Sequence, residues 1–273
     1  LSELVFLKLG GSLITDKNRE STPRPEIIRR VAQEVHQALE AWPDLRLVLG
    51  HGSGSFGHFV GRRYGTRQGI RDESSWRGYA ETGAAAARLN RLVTDTFLAA
   101  GVPVLSVQPS ASARCHDGEL LSLDIQPIKI ALAHGLVPLV YGDVALDEVR
   151  GCTIISTEQI FVWLARQLHP QRIILAGIVD GVFDRDPLQD TAAQLIPEIT
   201  PATFPTIEQQ LAGSHGVDVT GGMLSKVGEM LSLIEQQPDL KVYLITGQEP
   251  GRIVQALLRQ ESMGGTVLHA DYR

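Results

Sequence analysis

The sequence is poor in several things, and each shortage excludes something. Only two of its 273 residues are cysteine, Cys115 and Cys152. They stand in no CxxC or Cys/His zinc spacing, and two thiols make no disulfide framework. Both read as buried free thiols of a protein kept in a reducing cytoplasm. No apolar run approaches the roughly 18 residues of a membrane helix. The stretch Leu1–Gly10 lacks the basic region of a signal peptide and reads as a strand. Basic residues are in deficit, 25 Lys+Arg against 31 Asp+Glu, for a formal net charge of -6. No global basic field exists to hold nucleic acid, so a polyanionic ligand must be gripped by local lysines and backbone N–H groups. A Walker G-x-x-x-x-G-K-[ST] segment is missing, which sets a P-loop kinase aside. Internal repeats and low-complexity stretches are missing as well.

What is present is a regular alternation. Leu4–Leu9 is a short apolar run ended by Gly10 and Gly11, the look of a buried parallel strand. Further strands are expected at Leu45–Leu49, Val102–Val107, Leu136–Tyr141, Arg172–Ala176, Lys241–Thr246 and Thr266–His269, with a hairpin over Val144–Ile155. Helical spacing fills Pro25–Ala41, Ser74–Ala100, Asp124–His134, Ser156–Leu168, Gly222–Gln236 and Gly251–Gln260. Residues 184–216 carry Pro187, Pro197, Pro201 and Pro205 and read as irregular. This order predicts an α/β fold with a mostly parallel central sheet covered on both faces. No clean linker interrupts it, and the weakest boundary lies near Ile178–Pro187.

Ligands of open α/β sheets collect beyond the C-terminal ends of strands. Glycine and a base or hydroxyl coincide in three segments. The first runs from Lys8 through Gly10, Gly11 and Ser12 to Thr15 and Lys17. The second is His51–His58, with Gly52, Ser53, Gly54 and Gly57. The third, Asp218–Lys226, opens a helix and contains Gly222. Glycines let backbone approach phosphate oxygens, and lysines add point charges. Any one such loop is as often plain structure; the coincidence of three is the signal. Lys8 is the sharpest case, because a charge among Val5, Phe6, Leu7 and Leu9 is costly unless paired, or unless it snorkels to water. A rival reading takes Gly52–Gly57 as the G-x-G-x-x-G of a dinucleotide fold, with Asp72 or Glu73 as the ribose acid. It leaves the other two segments unexplained.

Together these segments resemble the amino acid kinase superfamily and, within it, the isopentenyl phosphate kinases. Lys8–Lys17 is similar to the family's N-terminal signature and His51–His58 to its acceptor loop. Tyr141–Val144, Val179–Phe183 and Asp218–Met223 with Lys226 follow in the family's order. The resemblance implies a three-layer αβα sandwich and a homodimer. It implies one kinase domain over 1–273, whose part to about residue 177 binds the acceptor and whose part from about 178 binds Mg-ATP. It implies phosphorylation of isopentenyl phosphate by ATP with Mg2+, in isoprenoid biosynthesis. Lys8 and Lys226 would contact the transferring and β-phosphates, Gly10, Gly11 and Ser12 would cradle phosphates through N–H groups, and Lys17 would stabilise the transition state. Ser53 and Gly54 would line the acceptor site and His58 would hold the acceptor phosphate. Asp180 and Gly222 would lie by the nucleotide. Two departures stand out. Where the family often reads Ser-Gly-Asp-Asp, this chain has Ser156–Gln159, so the acid that organises the lysines would be Glu158, one methylene longer. Where it often reads Leu-Thr-Asp-Val-Asp-Gly, this chain has Leu175–Gly181.

The chemistry agrees. A phosphate monoester, with a second pKa near roughly 6, is already ionised at neutral pH and needs no general base. It needs relief from the repulsion of the ATP γ-phosphate and in-line placement. Magnesium would arrive on the nucleotide and need few protein carboxylates, so no metal-ligating residue is assigned. His51 and the histidines His36, His116, His134, His169, His215 and His269 read as structural or ordinary. The alanines Ala84–Ala87 read as close helix–sheet packing or as room for an isoprenoid tail. Alternatives are a kinase for another small phosphate or phosphonate such as fosfomycin, and a nucleotide-binding regulatory module that has lost catalysis.

Overall fold

Every residue of the first strand, β1 (Glu3–Leu9), is buried, and its alternation decides the architecture. Leu4 and Phe6 point to one face, Val5, Leu7 and Leu9 to the other, and the two sets lie in separate apolar cores. Each such side chain, fully buried, contributes roughly 1.5–3 kcal/mol. A strand apolar on both faces belongs in the middle of a sheet covered twice. The computed structural model, which describes residues 3–213, 219–259 and 264–271, has β1 there.

The other elements follow in chain order. α1 (Gly11–Ile14) is a single turn, followed by α2 (Pro25–Ala41), β2 (Leu45–His51), α3 (Gly54–Tyr64) and α4 (Glu73–Ala99). Next come β3 (Val104–Ser106), β4 (Arg114–His116), β5 (Glu119–Ser122), α5 (Gln126–Ala133), β6 (Val137–Tyr141), β7 (Asp143–Asp147), β8 (Gly151–Ile155) and α6 (Thr157–Leu168). The last third holds β9 (Arg172–Gly177), β10 (Val182–Phe183), β11 (Leu195–Ile196), β12 (Glu198–Ile199), α7 (Phe204–Gly213), α8 (Val219–Gln236), β13 (Lys241–Thr246), α9 (Arg252–Leu257) and β14 (Thr266–Leu268).

Eight strands form the main sheet in the order β12-β14-β13-β9-β1-β2-β6-β3. All neighbours are parallel except β13 and β14. Helices α5, α6 and α8 pack on the face of Phe6, and α2, α3, α4 and α9 on the face of Leu7. The expected αβα sandwich is therefore found. β1 lies between β2 and β9, so the chain leaves it in opposite directions and opens a crevice at the C-terminal strand ends.

One expectation is met in a separate sheet, and two need correction. The hairpin expected over Val144–Ile155 is present as β7 and β8, but it belongs to a second, four-stranded sheet of order β5-β4-β7-β8. β4 and β5 turn at Asp117 and Gly118, both with positive φ (49° and 88°), the Asp-Gly signal of a tight hairpin. The stretch 184–216 is also more regular than its prolines suggest. It holds β11, β12 and α7, with Pro197 between the two strands and Pro205 in the first turn of α7, where no N–H is needed. The helix expected over Gly251–Gln260 ends at Leu257. Gln260, His215 and Asp218 lie outside the described residues. Cys115 and Cys152 are free and buried. Among the described residues no helix is long and apolar enough to cross a membrane.

Candidate active site

Lys8 shares its face of β1 with Leu4 and Phe6, so it points toward α6 and α8. Each of those helices answers it. Glu158 lies in the first turn of α6, whose start is fixed by a capping box between Ser156 and Gln159. Gly50 stands beside Lys8 on β2, and a Cβ there would lie 2.7 Å from Thr157 and 2.8 Å from Phe161. Its bare backbone is what lets α6 come close. Lys8 Nζ donates to Glu158 Oε1 at 2.5 Å, and both side chains are buried. Lys226, on the same stripe of α8 as Met230, brings its Nζ to 3.6 Å from the same oxygen while remaining half exposed. Burial alone would raise the Glu158 carboxyl, but the Lys8 and Lys226 charges outweigh it and hold it down at about 2. Burial pulls the Lys8 ammonium below the usual lysine range, and Glu158 pulls it back. The extra methylene of Glu158 thus still reaches both lysines.

The first two glycine segments touch backbone to backbone. A Cβ on Gly11 would sit 2.7 Å from Gly54 N and Cα, and Gly54 itself has φ +50. Gly10 lines the site, but its N–H donates to Ala176 O at 2.8 Å. Of the three N–H donors expected there, those of Gly11 and Ser12 remain, without a backbone acceptor among the described residues. His51 is structural, as expected. It is fully buried, stacks on Tyr141 and hydrogen-bonds Gly52 O and the Asn90 side chain. Burial lowers it to about 4, so it is neutral, with Nδ1–H donating to Gly52 and Nε2 accepting from Asn90. The G-x-G-x-x-G match does join a strand to a helix, but Gly52 and Gly54 serve this packing against the first loop, and Gly57 makes room for Ser53 and Ala86.

Two cavities flank the lysines. The larger, about 620 Å³, is lined by Ser53, Gly54 and His58. The smaller, about 280 Å³, is lined by Gly10, Gly222 and the strand end around Ala176. Lys8, Gly11, Ser12, Lys17, Glu158 and Lys226 line both. His58 is exposed, one turn into α3. Asp180 stands beside the smaller cavity with its carboxylate engaged elsewhere, accepting from Thr246 N at 3.2 Å and Arg252 Nη2 at 2.9 Å. Its neighbours Val179 and Gly181 are the lining residues.

Thr157 and Asp143 are among the lining residues that sequence reasoning passed over. Thr157 donates its hydroxyl to His51 O at 2.7 Å and braces the start of the second glycine loop. Asp143 is buried, accepts from Ser110 N and Val144 N, and is raised above the usual carboxylate range by burial. The second lay inside the quoted segment Tyr141–Val144; the first had no signal apart from its place before Glu158. The alanine run divides: Ala85 packs in the core, while Ala86, equally buried, lines the larger cavity.

The amino acid kinase family profile matches residues 3–245. The isopentenyl phosphate kinase of Methanothermobacter thermautotrophicus is 38% identical over 271 residues, covering 96% of this chain and 97% of its own. That of Methanocaldococcus jannaschii is 32% identical, covering 93% and 95%. A crystal structure of isopentenyl phosphate kinase superposes with a TM-score of 0.82 at 34% identity, over 97% of this chain and 99% of that one. The chain belongs to the amino acid kinase family and groups there with the isopentenyl phosphate kinases.

Proposed function

We propose that the chain transfers the γ-phosphoryl group of ATP to isopentenyl phosphate, giving isopentenyl diphosphate and ADP. The observation that carries this reading is the shared wall. Two cavities share Lys8, Lys17 and Lys226 in their linings, so two polyanions, one in each, can meet at one cationic group. Residues up to about 177 line most of the larger cavity, and residues beyond it most of the rest of the smaller one. This supports an acceptor-binding first part and a nucleotide-binding second part.

Lys8 and Lys226 neutralise the transferring and β-phosphates, with Glu158 setting their spacing. Gly11 and Ser12 donate N–H groups to phosphate oxygens. Lys17 stabilises charge that develops in transfer. Ser53, Gly54 and His58 take the acceptor phosphate, and Gly222 and the turn at Asp180 flank the nucleotide. The acceptor oxygen is already anionic, so no proton has to be removed; screening and alignment are the whole task. Among the described residues no group of three or more His, Cys, Asp or Glu side chains is placed to hold a metal ion. Magnesium would arrive on the nucleotide phosphates, where it would neutralise their charge. Like its family, the chain is proposed to act as a homodimer, which its molar mass in solution checks.

The test is ADP release over a panel of alkyl and prenyl monophosphates, with fosfomycin and carboxylates as controls. Isopentenyl phosphate is expected to turn over fastest. Loss of a charge-assisted hydrogen bond in His58→Ala should raise the acceptor KM about 10–100-fold with little change for ATP. Turnover confined to the controls overturns the reading.

A further inference from the structure

Lys17 differs from the other two lysines. It is exposed, and among the described residues no carboxylate pairs with it. Its position therefore depends on the loop that carries it. Residues 16–22 leave and rejoin the fold at the bridge between Thr15 and Pro23, and both ends are fastened to one residue of the acceptor loop. Ser55 N–H donates to Thr15 Oγ1 at 2.9 Å, while Ser55 O and Oγ accept from Ser21 N and Thr22 N, each at 3.2 Å. Thr15 Oγ1 in turn donates to Gly11 O at 2.7 Å. Thr15 is fully buried, and only a glycine at 54 leaves it room, since a Cβ there would lie 2.3 Å from its hydroxyl. At the loop's tip Arg63, near the far end of α3, holds both carboxylate oxygens of Glu20 at 3.0 Å. His58 lies between these two anchor points on α3.

We propose that Thr15 is a positioning residue for Lys17: its hydroxyl fastens the phosphate loop at Gly11 to the acceptor loop at Ser55, so that the Lys17 ammonium keeps a fixed place relative to the bound acceptor. A hydroxyl suits this post because it donates to one loop and accepts from the other at once. A methyl of the same size would leave Ser55 N–H without a partner in a dry place and would strip Gly11 O of the hydroxyl, leaving it only the Thr15 backbone N–H at 2.9 Å. The inference rests on the role proposed above for Lys17. It adds that acceptor-side and donor-side geometry are one mechanical unit.

The experiment compares Thr15→Val and Thr15→Ser, each in the wild-type and Lys17→Ala backgrounds, by saturating initial rates with thermal unfolding alongside. Thr15→Val should lower kcat about 30–100-fold, the scale of a misplacement near 1 Å, with the ATP KM almost unchanged. Thr15→Ser, which keeps the hydroxyl, should restore kcat to within about threefold of wild type. In the Lys17→Ala background Thr15→Val should cost less than about threefold, because residues acting through one group are not additive. The inference is overturned by an unchanged kcat in Thr15→Val, by equal losses in both backgrounds, or by a Ser variant as impaired as Val. If Thr15→Val does not fold, Ser55→Ala cuts the Thr22 tie alone; its smaller loss of kcat must likewise vanish without Lys17. A wild-type protein silent on isopentenyl phosphate strikes the functional reading only. The fastening is then read by amide hydrogen exchange across residues 16–22, which must quicken in Thr15→Val and not in Thr15→Ser.

Discussion

Each end of β1 enters a cluster of one buried glutamate, one buried cation and one partly exposed cation, and the two clusters are built to opposite plans. At the N-terminal end Glu3 meets Arg172 and Arg259. Arg172 makes four hydrogen bonds, two to Glu3 and two to the carbonyls of Ala256 and Leu257 that close α9. Arg259 also lies over the Trp42 ring at 5.6 Å. Planar, forked guanidinium groups are suited to being satisfied from several sides at once. At the C-terminal end the cations are lysines, and both reach the same oxygen of Glu158. Each ammonium has three N–H groups, so donors are left facing the cavities. A glutamate between two cations therefore serves two ends: where the buried cation spends four of its five N–H donors inside the protein the cluster holds the fold, and where donors remain beside the cavities the cluster can take a ligand.

The largest test of this contrast is at the N-terminal end. Glu3→Ala leaves Arg172 buried without its carboxylate and should destabilise the fold by about 3–5 kcal/mol, measured by denaturant unfolding, with kcat of the surviving folded enzyme almost unchanged. Lys8→Ala should do the reverse. Removing one donor aimed at the reacting phosphates should lower kcat by about 10²–10³-fold, measured with saturating ATP and acceptor, while the loss of stability stays below that of Glu3→Ala. If both variants lose stability and rate in parallel, the contrast between a filled and an open cluster fails.

Acid sharpens the comparison further. The folded Glu158 pKa of about 2 lies below the ordinary carboxylate value of 4.5. Its contribution to stability is therefore complete above pH 4.5 and is lost as pH falls toward about 2. Glu3 is also lowered: burial raises it, but hydrogen bonds from Arg172 and Arg259 outweigh that. Both clusters should thus weaken over the same acid limb. Glu158→Gln should be less stable than wild type at neutral pH, and the gap should close as pH drops, read from unfolding midpoints at a series of pH values. A gap that stays constant through the acid limb would mean that Glu158 is not held ionised by the lysines.

Much of this was legible because burial on two faces leaves a plain mark. The apolar run Leu4–Leu9 announced a central strand, and Lys8 inside it announced a charge in need of a partner. The partner itself was not readable from spacing. Glu158 is 150 positions away, and only the placement of α6 and α8 on the Phe6 face brings it near; the resemblance supplied it. Short strands with mixed exposure left weaker marks, so β4 and β5 were missed although Asp117-Gly118 marked their turn. Thr15 was quoted within the first loop but given no role, because a hydroxyl bridging two loops has no periodicity to betray it. Gly10 shows the opposite error, since a motif glycine looks like a phosphate donor until the neighbouring strand end is seen to take its N–H.

The smallest expected effect lies in the alanine run, where one helix turn offers both plans side by side. Ala85 faces the packed core and Ala86 faces the larger cavity beside Gly57, whose Cβ position is 4.0 Å from Ala86 Cβ. Ala85→Leu should overpack the core and destabilise by about 1–3 kcal/mol without altering which monophosphates are accepted. Ala86→Leu should put its added carbons into the cavity. Discrimination there, about tenfold for a methylene or two, should turn against longer alkyl monophosphates more than against short ones, read as kcat/KM along a chain-length series. If Ala86→Leu lowers stability as much as Ala85→Leu and leaves the chain-length order intact, that cavity wall is ordinary core, and the acceptor tail must run along another part of the larger cavity.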